Sequence, residues 1–196
     1  MSKRVERTSP AVQVRLDVRH PASTTGVSVD YDEIYEHLRG RFGTEVVLEH
    51  VQSDLTDPKK PIVFDPPQIL IRPDTIAEVS AFIRDDDGLQ MGSLMCVSSL
   101  DRGDVLSVVY HTHSMGLRHR AAMRVDVVRS DPVVPTVEQI WPTANWHERE
   151  AHDLMGIVFE GHSDLRTLIL PEGWEGHPLR KDYKVQEYYR GMRVPY

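Results

Sequence analysis

The sequence predicts an α+β fold, with helices packed on one face of a mixed or antiparallel sheet and an irregular, extended C-terminal arm. Three observations predict it. Element signals run helix, strand, strand, helix, strand, strand, strand, helix, an order that suits helices laid on one sheet. In "RAAMRVDVV", Ala122, Arg124, Asp126 and Val128 alternate with Ala121, Met123, Val125 and Val127, the period of a strand with one buried face. From Gly161 onward neither a helical nor a strand period survives beyond "LRTLIL", yet Trp174, Tyr183, Tyr188, Tyr189 and Tyr196 remain.

The elements follow in chain order. Residues 1–27 are rich in Pro, Ser and Thr and form an N-terminal arm, with room for a short strand at Val12–Val18. The α+β domain is expected over 28–160. "VDYDEIYEHLRGRFG" opens it as a helix, capped by Ser28 or Asp30, with Ile34, Tyr35 and Leu38 on one face and Gly40 or Gly43 at its end. "TEVVLEHV" has strand composition, and "DPKKPIVFDPP" reads as a proline-punctuated loop. "QILIRP" is a short strand. Pro73 then starts a helix in which Ile76, Val79 and Ile83 recur at helical spacing, with Gly88 as its stop. "SLMCVSSLD", "DVLSVVYHTHS" and "HRAAMRVDVV" are three strands, the first two joined by Arg102-Gly103. "DPVVPTVEQIWP" turns the chain into a last helix over 143–156, and residues 161–196 form the arm.

Composition excludes several functions. The 196-residue chain carries a formal charge of −7, distributed as about +2 over residues 1–30, −10 over 31–160 and +1 over 161–196. An acidic body argues against a nucleic-acid partner. One cysteine, Cys96, forbids an internal disulfide and cannot hold an iron–sulfur cluster, which normally takes four protein ligands. The charged start "MSKRVERTSP" is not a secretory signal, and no apolar run reaches the roughly 18 residues of a membrane-spanning helix.

The densest candidate chemistry is "NWHEREAHDLMG". His147 and His152 are five residues apart. At roughly 100° per residue their rings diverge by about 140° on a helix, so one helix cannot aim both at a single ion. Zinc-protease geometry needs a spacing of four. His111 and His113 share one strand face, where a third metal ligand would have to come from elsewhere, with His119 and His37 unplaced, and Cys96 reads as a buried, inert thiol. No phosphate-binding glycine motif is present. Asp85–Asp87 close a helix as a solvated turn. Arg180, Lys181 and Asp182 could clamp a carboxylate or phosphate but more often make interchain ion pairs, and large aromatics in an aperiodic arm suit a partner surface. The other reading of the arm is a coil wrapped around its own domain. A free-standing metalloenzyme built from His147, His152, His111 and His113 is the distant alternative.

Residues 141–183 resemble the C-type, 30-kDa subunit of the proton-pumping NADH–quinone oxidoreductase, respiratory complex I. The matching positions are Glu148, Arg149, Glu150, Asp153, Gly156, Phe159, His162, Asp164, Leu165, Arg166, Leu170, Pro171, Glu172, Trp174, Gly176, Pro178, Leu179, Arg180, Lys181, Asp182 and Tyr183. With looser similarity upstream, the resemblance covers roughly residues 69–196. His152, Met155, Ser163, Thr167 and Gly173 depart from the family pattern. The resemblance implies a docking helix in which Glu148, Arg149, Glu150 and Asp153 form ion-paired contacts. It implies no catalytic centre, metal or cofactor in this chain, with NADH, FMN, iron–sulfur clusters and quinone on partner subunits. It implies the 49-kDa (D-type) subunit and the cluster-bearing B-type subunit as neighbours, with other peripheral-arm subunits. Membrane association would come through the complex only, on the cytoplasmic or matrix side. An equivalent subunit of a ferredoxin- or F420-dependent complex, or of a membrane-bound hydrogenase, is the alternative, because donor binding lies on other chains.

Overall fold

A capping box starts the described chain. Asp30 accepts from the backbone of the first turn and Glu33 reaches back to the Asp30 N–H, so α1 runs Tyr31–Phe42 with Ile34 and Leu38 buried. The computed structural model describes residues 30–54 and 62–194. The expected arm at 1–27 and its strand lie outside the described residues. Strands β1 (Val47–Asp54) and β2 (Ile62–Ile71) follow, then a 3-10 turn at Pro73–Thr75 and α2 (Ile76–Asp85). Helix α2 ends at Asp85, before Gly88, because the Asp86 carboxylate accepts the Gly88 N–H and turns the backbone there.

Three long strands come next, β3 (Ser93–Asp101), β4 (Val105–His113) and β5 (Arg120–Val128). With β1 and β2 they form one sheet in the order β1-β2-β5-β4-β3. The β2–β5 pair is parallel and the other neighbours are antiparallel, so the sheet is mixed. Short β6 (Val133–Pro135) and β7 (Val158–Glu160) pair in parallel around α3 (Ala144–Met155), and β8 (Tyr188–Tyr189) with β9 (Met192–Arg193) makes a small hairpin.

One core joins Ile34 and Leu38 of α1, Ile76, Val79 and Ile83 of α2, and Ala144, Ala151 and Met155 of α3 to one face of the sheet, including Val108, Tyr110, Met123 and Val125. The helices therefore share one face, as expected. The opposite face is not simply wet. Arg124 lies over it, donating to Gln68 and Asp126, while Ser107 donates to Asp126 at 2.6 Å.

The structure corrects two local readings. The proline-punctuated stretch "IVFDPP" belongs to β2 and is not a loop. Between Val51↔Gln68 and Ser53↔Val63 the β1–β2 register shifts, so Pro66 and Pro67 fall where the ladder is irregular and their missing N–H groups are tolerated. Cys96 is half-buried rather than buried, because it stands on the helix-free side of edge strand β3.

Candidate functional site: the helix–strap clamp

The charged helix α3 places several of its charged residues inward. Glu148 (0% exposed) and Asp153 (3%) are buried, a costly location that needs donors. Among the described residues, neither forms the ion pairs with Arg or Lys that the signature implies. Glu148 accepts from the Val137 N–H at 2.8 Å and from the Thr136 hydroxyl, both on the turn that follows β6. Burial dominates these bonds and raises its pKa from 4.5 to about 7. The Tyr110 hydroxyl is buried with no hydrogen-bond partner among the described residues, and burial, then the charge of Glu148, pushes it well above the ordinary tyrosine range.

Glu138 behaves oppositely. Burial opposes its ionisation, but Asn145 Nδ2 (2.7 Å), the Ser163 N–H (2.7 Å) and the Ser163 hydroxyl (3.1 Å) outweigh it and hold its pKa below the usual range. Between the two carboxylates stands His162, with Nε2 at 3.4 Å from Glu138 and 3.9 Å from Glu148. Its Nδ1 accepts from the Asp164 N–H and its Nε2 donates to the Asn145 carbonyl. Glu138, His162 and Ser163 thus fasten the root of the C-terminal segment to α3.

Asp153 makes the next fastening. One carboxylate oxygen accepts the N–H groups of Leu168, Ile169 and Leu170, at 3.1, 2.7 and 2.7 Å. Three successive amides converge on one anion, as they do in a backbone nest. Arg149 donates to the carbonyls of Arg166 and Thr167, and its approach to Asp164 is a loose 3.9 Å. Asp164 pairs more closely with Arg166 through two bonds, at 2.7 and 2.8 Å.

The C-terminal end of α3 is closed by the segment 177–180. Gly156 adopts φ +69, the left-handed C-cap. A Cβ there would lie 2.4 Å from His177 Nε2 and 2.8 Å from an Arg180 nitrogen. His177 Nδ1 donates to the Asp153 carbonyl, the Leu179 N–H to the Leu154 carbonyl, and Arg180 Nε to the Met155 carbonyl. These donors satisfy carbonyls that a helix end leaves free, with the Arg180 charge favourable at that pole. Farther on, Asp101 of β3 accepts the Lys181 N–H and pairs with Arg129, which also pairs with Asp182 at 2.8 Å. Arg180 and Asp182, expected to reach another chain, are bound within this one. Trp174 donates to the Tyr183 hydroxyl and packs on Tyr189, while the Tyr183 ring closes over Gly176.

The remaining expected positions divide between inside and outside. Phe159 of β7 is core and Leu165 packs against that core. Pro171 and Glu172 are exposed, Glu172 pairing with Arg190 at 3.7 Å, and Pro178 is half-buried. Glu150 is exposed, and its side chain forms no hydrogen bond or ion pair among the described residues. Of the departures, Met155 is core and His152 donates to the Ile157 carbonyl. His147 and His152 stay apart, and among the described residues no group of three His, Cys, Asp or Glu could hold a metal. Sequence reasoning missed Thr136, Glu138, Asn145, His177, Asp101 and Arg129. Each acts on a residue distant in sequence, with no local pattern to mark it.

The outer surface carries exposed apolar groups. Trp146 is 66% exposed, and Ile169, Leu179, Val185, Tyr188 and Met192 are exposed along the strap. Among the described residues no helix is long and apolar enough to cross a membrane.

The fold and this clamp define a class: an α+β domain whose buried polar groups hold a C-terminal strap against its last helix while apolar side chains stay outside. Residues 69–189 match the family model of the respiratory-chain NADH dehydrogenase 30 Kd subunit, and the chain belongs to that family. A relative from Chloroherpeton thalassium, named as the C subunit of an NADH-quinone oxidoreductase, is 48% identical over 120 residues, 60% of this chain and 50% of that one. A protein of the same name from Chlorobium phaeobacteroides is 46% identical over 61% of this chain and 74% of its own length. The match thus spans between half and three-quarters of these relatives. A chain of the membrane-bound sulfane sulfur reductase, described as an archaeal respiratory membrane complex, shares the fold with a TM-score of 0.58. That likeness covers 78% of this chain and 85% of the other at 18% identity, so it is one of fold alone.

Proposed function

We propose that this chain is a peripheral-arm subunit of an NADH–quinone oxidoreductase. It carries no cofactor itself and supports assembly of the quinone-reducing module. Electron transfer from NADH to quinone, coupled to proton translocation, is then the work of the complex, with FMN and iron–sulfur clusters on other subunits. The observation that carries the reading is the clamp, found within a family match over residues 69–189. Backbone and charged fastenings hold the strap in one path, yet Ile169, Leu179, Val185, Tyr188 and Met192 project outward from it. Rigid presentation of apolar side chains lowers the ordering cost of an interface.

In this reading residues 161–196 lie over a neighbour of the 49-kDa (D-type) kind, near one of the B-type kind, and the signature residues act by shaping that strap. Membrane association runs through the complex, on its cytoplasmic or matrix side. The test is recovery of the tagged chain from mildly solubilised native membranes, with mass spectrometry of what accompanies it and an assay of NADH-dependent quinone reduction. A co-purifying quinone reductase is the expected result. A chain recovered alone from the soluble fraction refutes the proposal. A complex with another donor-binding subunit in place of the NADH-binding one transfers the chain to a ferredoxin- or F420-linked relative.

A further inference from the structure

Strand β3 ends the sheet, and among the described residues nothing pairs with its outer edge. No backbone hydrogen bond from outside the sheet reaches residues 95–100 among the described residues. An open edge of this kind is a template for another extended chain, and proteins normally blunt it. Here it is not blunted by a proline or by a lysine. It carries Met95, Ser98 and Leu100 as exposed side chains.

Beside that edge runs a groove of about 220 Å³ between β3 and α3. Its apolar walls are Val97 from the strand, Ala151 and Leu154 from the helix, and Leu179 from the strap. Ser98 and Ser99 line it on one side, Ser99 with its side chain on the helix face and Ser98 with its side chain on the opposite face, and His147 and Glu150 line it on the other. Positions 147, 150, 151 and 154 are one face of a helix, at spacings of three and four. The combination of open strand edge, facing helix and apolar slot is the geometry by which a sheet accepts an added strand, with main-chain bonds to the edge and alternate side chains in the slot.

We infer that the β3–α3 groove binds an extended segment of a partner polypeptide, added as a strand along β3, with one apolar side chain in the slot and a Lys or Arg beside Glu150. The occupant follows from charge. Glu150 has no partner among the described residues, and residues 31–160 carry about −10. A second copy of this chain would bring an equally acidic body to the same edge, which opposes it. The inference rests on the reading of the chain as an assembly subunit and adds the location and chemistry of one contact. It also gives Glu150 and His147, unused by the clamp, a place.

The experiment places a photoreactive benzoylphenylalanine at Ser98 in the full chain, and in a second strain at Tyr188 of the strap, in the native host. After illumination the adducts are sequenced by mass spectrometry. The expected result is an adduct at Ser98 to one contiguous stretch of a single partner polypeptide, reduced about tenfold by E150K. Those amides of residues 95–100 that face away from β4 should exchange fast in the isolated full chain and be protected in the complex. Adducts at Tyr188 with none at Ser98 overturn the inference and leave the assembly reading standing. An adduct at Ser98 to lipid or to a second copy, or unprotected 95–100 amides in the complex, also overturns it. No partner adduct at either position sinks both.

Discussion

Replacing Glu148 by Gln should change how the stability of this protein depends on pH. The carboxyl is fully buried, and burial outweighs the bonds from Thr136 and Val137 to lift its pKa from 4.5 to about 7. In an unfolded chain the same group ionises near 4.5. Below that pH both states are protonated, and the stability due to the neutral buried acid is fully present. As pH rises from 4.5 to 7 the unfolded chain releases the proton and the folded one keeps it, so this stability is lost, reaching its floor above about 7. At roughly 1.4 kcal/mol per pKa unit the loss is about 3 kcal/mol. Gln copies the protonated acid: its carbonyl can accept from Val137 and its amide can donate to the Thr136 oxygen. Between pH 4 and 8, therefore, E148Q should gain about 3 kcal/mol on the natural protein, or roughly 6–12 °C in Tm at this chain length. Thermal unfolding of both proteins, followed by circular dichroism across that range, gives the answer. Parallel pH profiles for the two would refute the assignment of a neutral-range pKa to Glu148.

Asp153→Asn should cost about 1–2 kcal/mol by replacing a charged acceptor with a neutral one. Asp153→Ala should cost more, and the amides of Leu168, Ile169 and Leu170 should lose hydrogen-exchange protection ahead of the sheet. Gly156→Ala forces a side chain into the left-handed region and into His177 and Arg180, so about 2–4 kcal/mol of destabilisation is expected. Limited proteolysis should show the strap cut first, and a variant as resistant as the natural chain would contradict the clamp. Among the described residues the last contributor to the core is Leu165, so a chain lacking residues 171–196 should keep its circular dichroism spectrum while losing recovery in the complex. An unfolded truncation would show that the strap belongs to the fold rather than to the interface.

Local chemistry is legible wherever cause and effect lie within a few residues. Asp30 and Glu33 announce the start of α1, Ile76, Val79 and Ile83 the buried face of α2, and the alternation through Met123 and Val125 the inward face of β5. The divergence of His147 and His152 also holds, because helix geometry alone decides it. The prolines of β2 mislead, since a proline signals a break unless a register shift elsewhere removes the need for its N–H. The clamp is harder still to foresee. Glu148 and Asp153 have the sequence pattern of surface charges on a helix, yet both are buried acceptors for backbone and hydroxyl donors. Arg180, which nothing nearby in sequence would engage, closes the end of α3.

By itself, then, the sequence determined the main helices and strands apart from the proline-rich half of β2, the single helical layer, the acidic body and, through its long signature, the family. Tertiary structure alone decided the parallel β2–β5 pair, the neutral-range carboxyl of Glu148, the strap fastened at Asp153 and Asp101, and the open edge of β3. The physical reason is range. Periodicity and capping report interactions between residues a few positions apart. A pKa, a carboxylate's donors or a strand's missing neighbour depend on what the folded chain brings from as far as 80 residues away, as Lys181 comes to Asp101.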